Sequence, residues 1–183
     1  MIANKERFYR ELFSAIFKII VAGLLIGALK SFDILLAFIL GIKVIFNIYY
    51  NVIKPKKAKN WILLTGMILT GIIGYLAEVW GVSNGYWTYH NADRVLPFWL
   101  PFAWMLAFYF LYKLECKLIV TLSKPNLKNK IVLAILIALI FPAFGEMITI
   151  YLGVWTYFWP YQIFGVPLYA FICLVGLHMF IYV

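Results

Sequence analysis

Charged side chains are scarce in this sequence, and their scarcity excludes an ordinary soluble fold. Only 13% of the 183 residues are Asp, Glu, Lys or Arg, whereas 66% are hydrophobic. A water-soluble domain of this size needs a charged surface to remain in solution. The composition therefore predicts an integral membrane protein.

Cysteine and histidine are nearly absent, with two of each, and this limits the chemistry. Cys116, Cys173 and His178 show no metal-ligand spacing, so we interpret all three as structural and predict neither a metal site nor a cofactor. The chain also lacks a glycine-rich phosphate loop, an HExxH motif and a Ser-His-Asp order, which argues against nucleotide-driven and hydrolytic functions. His90 and Asp93 together are candidates for a titrating group at the outer mouth of the protein.

Long apolar runs fill most of the chain. A helix needs about 20 mainly apolar residues to cross a bilayer, and six segments qualify. We therefore predict an all-α integral membrane protein with six transmembrane helices, in a single transmembrane domain that covers residues 1–183. The predicted spans are 12–29, 32–53, 61–80, 96–114, 130–152 and 164–183.

Basic side chains alternate between the predicted connections. The formal net charge is +9, and Lys and Arg cluster before the first span, in the second connection and around the fourth, whereas the other connections are nearly neutral. This is the positive-inside pattern of a multi-pass protein in a bacterial-type inner membrane, with both termini in the cytoplasm. We interpret the charge as contact with anionic lipid headgroups and not with nucleic acid. The sequence leaves homo-oligomers and hetero-oligomers open.

A repeated motif links the third and fourth spans to the fifth and sixth. Glu78 precedes Gly-Tyr-Trp-Thr-Tyr at 85–89, and Glu146 precedes Gly-Val-Trp-Thr-Tyr at 153–157 with the same spacing. Both units run in the same direction, which predicts that helices 3-4 and 5-6 form two parallel helical-hairpin repeats. The two carboxylates would then lie at equal depth and converge on one pocket. The repeat units cover about 61–122 and 130–183.

Two acidic residues interrupt the apolar spans. A carboxylate inside a bilayer costs about 2.5–3.5 kcal/mol on insertion scales, so intramembrane acids are rare and tend to be functional. Glu146 lies well inside the fifth span after Pro142, which should kink that helix, and Glu78 lies nearer the outer face. A carboxyl that stays protonated in an apolar site is suited to act as a general acid, with an ionised partner as the base. We predict Glu146 as the acid and Glu78 as its catalytic partner.

Aromatic residues are abundant near these carboxyls, and ring faces stabilise cations in a desolvated pocket. Together these groups suit acid–base cyclisation, isomerisation or hydration of an apolar polyene taken from the bilayer, with no cofactor. An interfacial aromatic belt would account for the same aromatic residues. For Lys43 we favour extension of the ammonium group to the cytoplasmic interface, with an ion pair or hydrogen bond to a buried glutamate as the alternative. The predicted substrate-binding residues are Trp87, Tyr89, Trp155, Tyr157, Trp104, Trp80, Lys43 and Asn47.

Part of the sequence resembles a known group of membrane enzymes. Glu146, Gly153, Trp155, Tyr157 and the Gly-Val-Pro-Leu segment at 165–168 resemble motifs of membrane carotenoid hydratases. The two-unit arrangement is similar to that of the small membrane lycopene cyclases and the transmembrane terpene cyclases, although the paired acidic motif of the lycopene cyclases is incomplete here. The resemblance implies terpenoid or carotenoid biosynthesis in a membrane. It covers residues 70–170.

Two other functions fit the same sequence features. A small-molecule binding or transport subunit would stack its aromatic residues on a ring-containing ligand and use either glutamate to pair with an amine or to couple to protons. An assembly subunit would use the glutamates to pair with another protein. Chemical change of an extracted lipid separates the enzyme from the transport subunit, which gives binding alone.

Overall fold

The computed structural model describes residues 2–55, 59–90 and 95–179, and the chain is mostly helical (74%). The described part contains six α-helices, a π-helical turn and four short β-strands. The helices are α1 (Lys5–Leu29), α2 (Asp33–Ile48), α3 (Trp61–Ser83), α4 (Leu100–Ile119), α5 (Leu127–Tyr151) and α6 (Leu168–Met179), and the π-helical turn Tyr49–Ile53 extends α2. The strands are β1 (Trp87–Tyr89), β2 (Trp155–Tyr157), β3 (Gln162–Ile163) and β4 (Val166–Pro167).

Several helices suggest a multi-pass membrane protein, in agreement with the predicted class. Four of the described helices are long and apolar enough to cross a membrane, and α4 and α6 are not among them. Lys113, Glu115 and Lys117 interrupt the apolar sequence of α4, and the described part of α6 has only 12 residues. Within the described residues, the four helical segments that qualify are Lys5–Leu29, Asp33–Ile53, Trp61–Ser83 and Leu127–Tyr151.

Asparagine begins three of the long helices. The side chains of Asn4, Asn60 and Asn126 each accept a hydrogen bond of 2.9 Å from the backbone N–H three residues later. This bond satisfies one of the free donors in the first helical turn and favours a helix start at that point. Helix α1 therefore begins at Lys5, upstream of the predicted apolar run 12–29.

Helices α3 and α5 end in the same way. Gly85 (φ +71°) and Gly153 (φ +65°) adopt the left-handed conformation that glycine tolerates without strain. Directly after them, the N–H groups of Tyr86 and Val154 donate to carbonyls five residues back, at 2.9 and 3.0 Å. These matching ends lead the chain out of each helix into the two Trp-Thr-Tyr segments.

Glycine allows α3 and α4 to pack closely. A Cβ atom at Gly66 would lie 2.0 Å from the Phe108 ring, and one at Gly74 would lie 2.4 Å from the Trp104 ring. Small residues of one helix thus receive large aromatic residues of the other, and small residues are common where membrane helices meet. This contact places Trp104 against the helix that carries Glu78.

The remaining helices surround this pair. Helix α5 packs against α1 and α6, and α2 packs against α4. Buried apolar residues from α1, α4 and α5 form one cluster, and a second cluster near β1 and β2 includes Leu36, Trp99 and Val154. Pro142, which predicted a kink, lies within α5, and the helix continues past it to Tyr151.

Candidate functional site

The two Trp-Thr-Tyr segments pair with each other as a short antiparallel ribbon. Thr88 lies opposite Thr156 at its centre, and backbone hydrogen bonds of 2.9 Å extend the pairing at both ends. The sequence predicted two aromatic turns on one face of the membrane, and the structure joins them through their backbones. We call strands β1 and β2 together the ribbon.

Glu78 lies beneath the ribbon and is almost fully buried, with 8% of its surface exposed. Its Oε2 atom accepts hydrogen bonds from the Trp87 indole at 2.8 Å and from the Tyr89 hydroxyl at 2.9 Å. Its Oε1 atom accepts a third from the Trp104 indole at 3.2 Å. Gly81 makes room for the Trp87 ring, since a Cβ atom there would lie 1.8 Å from it. Three donors therefore satisfy a carboxyl group that is costly to bury alone.

Glu146 takes the matching position in the second unit. It is half-buried, and its Oε2 atom accepts a hydrogen bond from the Tyr157 hydroxyl at 3.1 Å. The bonded tyrosine follows the glutamate by 11 residues in both units: Tyr89 bonds Glu78, and Tyr157 bonds Glu146. The tryptophans differ, since the Trp155 indole nitrogen is buried and has no hydrogen-bond partner among the described residues. The Trp155 ring packs instead on Tyr89, at a centroid distance of 5.6 Å.

The two glutamates and their tyrosines act as one electrostatic unit. Burial raises the pKa of the Tyr89 phenol well above its ordinary value, and the charges of Glu78, Tyr157 and Glu146 raise it further. Burial likewise raises the pKa of Tyr157, with Glu146 and Glu78 adding to the effect. Both phenols therefore stay protonated at neutral pH and act as donors. We call Glu78, Glu146, Tyr89 and Tyr157 the carboxyl cluster.

Further aromatic rings continue from the carboxyl cluster toward α6. Tyr157 contacts Tyr169 at a centroid distance of 6.4 Å, and Tyr169 contacts Trp159 at 5.7 Å and Tyr86 at 6.4 Å. The Tyr169 hydroxyl is buried and has no hydrogen-bond partner among the described residues. The sequence did not predict Tyr169 as a site residue. The feature that could have indicated it is its position in the first turn of α6, two residues after Pro167.

Three of the predicted substrate-binding residues lie away from the carboxyl cluster. Trp80 is 57% exposed and packs against Tyr86 at a tilt, with 5.0 Å between ring centroids. Lys43 is exposed on α2, and no ion pair in the described part of the chain joins it to a glutamate. Asn47, on the same helix, is buried with an unpaired amide nitrogen. Helix α2 packs mainly against α4, and among the described residues neither the Lys43 nor the Asn47 side chain bonds a member of the carboxyl cluster.

Two histidines have partners that the sequence did not reveal. His90 Nε2 lies 2.8 Å from Thr156 Oγ1, beside the ribbon, while Asp93, its predicted partner, lies outside the described residues. His178 Nε2 lies 3.0 Å from Glu115 Oε2, and both side chains are buried. His178 is therefore not the isolated residue that the sequence suggested. The sequence did not predict Glu115 as a buried residue, because it lies between Lys113 and Lys117 in a segment typical of a basic, exposed helix end.

The carboxyl cluster is suited to acid–base chemistry because its two carboxyls differ. Glu78 accepts three hydrogen bonds, each of which favours its ionised form, whereas Glu146 accepts one, from Tyr157. In the described ranges no three His, Cys, Asp or Glu side chains come together as metal ligands would.

The chain matches no family model, and no curated protein or solved structure matches it at a significant level.

Proposed function

We propose that this protein is a membrane-embedded enzyme that cyclises, isomerises or hydrates a lipid-soluble polyene of the terpenoid or carotenoid type. The observation that carries the proposal is the carboxyl cluster, in which two unequal carboxyls bond to tyrosines within a bundle of apolar helices. The resemblance of residues 70–170 to membrane carotenoid hydratases and lycopene cyclases supports the same class of chemistry.

The two glutamates take different parts in this reaction. Glu146, in its protonated form, transfers its proton to an alkene carbon, which leaves a carbocation on the substrate and a carboxylate on Glu146. The ring faces of Tyr157 and Tyr169 hold the cation. Glu78, whose three donors favour its ionised form, balances the positive charge from beneath the ribbon. Loss of a proton from the adjacent carbon to the Glu146 carboxylate completes isomerisation or cyclisation. Addition of water to the cation, with transfer of one of the water protons to the Glu146 carboxylate, completes hydration, and either route returns Glu146 to its protonated form.

The proposal includes a six-span topology in a bacterial-type inner membrane. Helices α4 and α6 complete the spans, both termini lie in the cytoplasm, and the ribbon lies at the outer face. Lys54, Lys59 and Lys124 support this orientation, because they are exposed near the helix ends remote from the ribbon. The matching ends of α3 and α5 support two parallel hairpin repeats, formed by α3 with α4 and by α5 with α6.

The experiment is a comparison of lipid extracts from polyene-producing cells. Cells express the wild type, Glu146→Gln or Glu78→Gln, and the extracts are analysed by chromatography and mass spectrometry. We expect a cyclised, isomerised or hydrated product in the wild type, and its loss in Glu146→Gln, because an amide is far too weak an acid to protonate an alkene. Glu6→Gln, at an exposed glutamate in the first turn of α1, is the matched control and should leave the product unchanged.

A second function, a small-molecule binding or transport subunit, is favoured by two unpaired donors. The Trp155 indole and the Tyr169 hydroxyl are both buried without acceptors among the described residues, and a ligand carrying oxygen or nitrogen acceptors would satisfy them. Purified protein would then bind such a ligand and return it unchanged. An extract that is the same with and without the wild-type protein would reject the enzyme and favour this alternative.

A further inference from the structure

A second buried ionisable site lies near the last turns of α4, away from the ribbon. Glu115 on α4 and His178 on α6 are each 2% exposed, and His178 Nε2 lies 3.0 Å from Glu115 Oε2. Ionisable groups are expensive within a membrane, and those that occur there are paired and often functional. The acid–base reaction proposed above does not use this pair, so its presence calls for a separate explanation.

A small cavity adjoins the pair. It offers about 20 Å³ of room for the centre of a water molecule, and about 10–15 Å³ is enough to hold one water. Thr70 and His178 both line it. Thr70 Oγ1 and His178 Nδ1 are buried, and neither has a hydrogen-bond partner among the described residues. Two unpaired polar atoms on residues that share a water-sized cavity indicate that a water molecule completes the site.

The charge balance indicates where the proton lies. If Nε2–H donates to the Glu115 carboxylate and Nδ1 is bare, the pair carries a net negative charge. One more proton on Nδ1 of His178 makes the pair neutral. A protonated Glu115 that donates to Nε2 is neutral as well, and in that arrangement too Nδ1 carries a proton. Because an uncompensated charge is costly in an apolar bundle, the neutral arrangements are favoured.

No lysine or arginine in the described part of the chain forms an ion pair with Glu115. On the same helix, Lys117 pairs with Glu11, and Lys113 donates to the Asn51 side chain. Tyr112 and Cys116 lie close to Glu115, but both are neutral in their protonated forms. The other residues that line the cavity with His178 are uncharged. A proton on the pair itself is therefore the compensating charge that the geometry favours.

We propose that Glu115 and His178 form a buried proton-binding site, which holds its proton on Nδ1 of His178 and is completed by one internal water. The water accepts a hydrogen bond from Nδ1–H and donates to the Thr70 hydroxyl. The site is separate from the carboxyl cluster, although Trp104 lines the same cavity and donates to Glu78. The pair therefore holds a proton that the reaction proposed for the carboxyl cluster does not use.

The test is ¹⁵N NMR of histidine-labelled protein in lipid nanodiscs at neutral pH. The chain has two histidines, so His90→Gln assigns the remaining signals to His178. We expect Nδ1 of His178 to carry a proton and to receive magnetisation from water. In Thr70→Val, which removes the hydroxyl and keeps the shape, the transfer from water should fall several-fold while Nδ1 stays protonated.

Each other outcome removes part of the proposal. A bare Nδ1 in the wild type would show that the pair is negatively charged and would overturn the proton site. A protonated Nδ1 without transfer from water would overturn the internal water. Transfer that is unchanged in Thr70→Val would overturn the bond to Thr70. None of these results depends on a lipid product, so failure here is distinguishable from failure of the proposed enzymatic function.

Discussion

Trp87 and Trp155 occupy matching positions in the two units, yet only Trp87 bonds to a carboxylate. The difference begins six residues earlier, where Gly81 in the first unit corresponds to Thr149 in the second. The Trp87 ring fills the space above Gly81, and a Cβ atom there would lie 1.8 Å from the ring. Thr149 has such a Cβ atom and is itself buried, so Trp155 cannot take the same place. This exchange accounts for one of the two donors that Glu78 has and Glu146 lacks; the other is Trp104 on α4.

Replacing each tryptophan by phenylalanine should separate the two roles. Trp87→Phe removes a donor from a buried carboxyl, and a hydrogen bond to a charged group contributes about 1.5–3 kcal/mol. Trp155→Phe removes the same ring volume but no hydrogen bond to a described residue. We expect the free energy of unfolding in detergent to fall by about 1.5–3 kcal/mol more in Trp87→Phe than in Trp155→Phe. Equal losses would mean that the indole bond to Glu78 contributes nothing.

The buried phenols should also be visible in an alkaline titration. The pKa values of Tyr89 and Tyr157 are raised well above the ordinary value, mainly by burial, so the native protein holds their protons longer than the unfolded chain does. These phenols add to the free energy of unfolding below about pH 10, the ordinary tyrosine pKa. This contribution is lost as the pH rises through their raised pKa values in the native protein. We expect phenolate absorbance at about pH 11 to be unchanged in Tyr89→Phe.

The unfolded chain is the control for this titration. In denaturant the burial of Tyr89 is lost, so Tyr89→Phe should then lower the phenolate signal at the same pH. A loss of the same size in the native protein would contradict the burial of the Tyr89 phenol.

At the scale of elements, the sequence predicted the long helices well and the strands not at all. The predicted spans 61–80 and 130–152 match α3 and α5 closely, because a sustained apolar run is a strong signal over such lengths. The ribbon has three residues in each strand, too few to show the two-residue alternation of a strand. Its pairing depends on where α3 and α5 end, which the repeat indicated only indirectly.

The contact between α3 and α4 can be tested at a glycine. In Gly66→Ala the new Cβ atom would lie 2.0 Å from the Phe108 ring, so the helices must separate, and overpacking of this kind costs about 1–3 kcal/mol. Gly176→Ala on α6 is the control, because a Cβ atom there meets nothing within 4 Å. We expect a lower thermal midpoint in detergent for Gly66→Ala and an unchanged or higher one for Gly176→Ala. Equal midpoints would contradict close packing of α3 on α4.

For the whole molecule, the carboxyl cluster was largely predictable and the Glu115–His178 pair was not. The repeat placed both glutamates at equivalent positions, and a tyrosine at one fixed spacing bonds each of them. No repeat connects Glu115 with His178, which are 63 residues apart and meet only when α4 and α6 come together. The sequence left open whether Lys43 pairs with a buried glutamate, because it does not reveal that Lys43 lies on an exposed face of α2.

The proposed orientation can be tested with single cysteines and a membrane-impermeant maleimide. The background carries Cys116→Ser and Cys173→Ser. In intact bacterial cells we expect Tyr161→Cys, at an exposed position beyond the ribbon, to be labelled. Lys59→Cys, just before α3, should react only after lysis because the positive-inside pattern places it in the cytoplasm. The reverse pattern would place the ribbon inside the cell, and labelling of both sites would contradict the predicted number of spans.

The ribbon also has a consequence for biogenesis. Glu78 takes its bonds from Trp87, Tyr89 and Trp104, so the first unit can satisfy its carboxyl before the second unit has been synthesised. Strand β1, in contrast, finds its partner only after two more helices have been inserted, and until then its backbone edge is unpaired. Contacts between distant parts of a chain form late. The closing of the ribbon is therefore a late event in membrane assembly, and a chain arrested after α4 would carry an intact Glu78 site and an open strand edge.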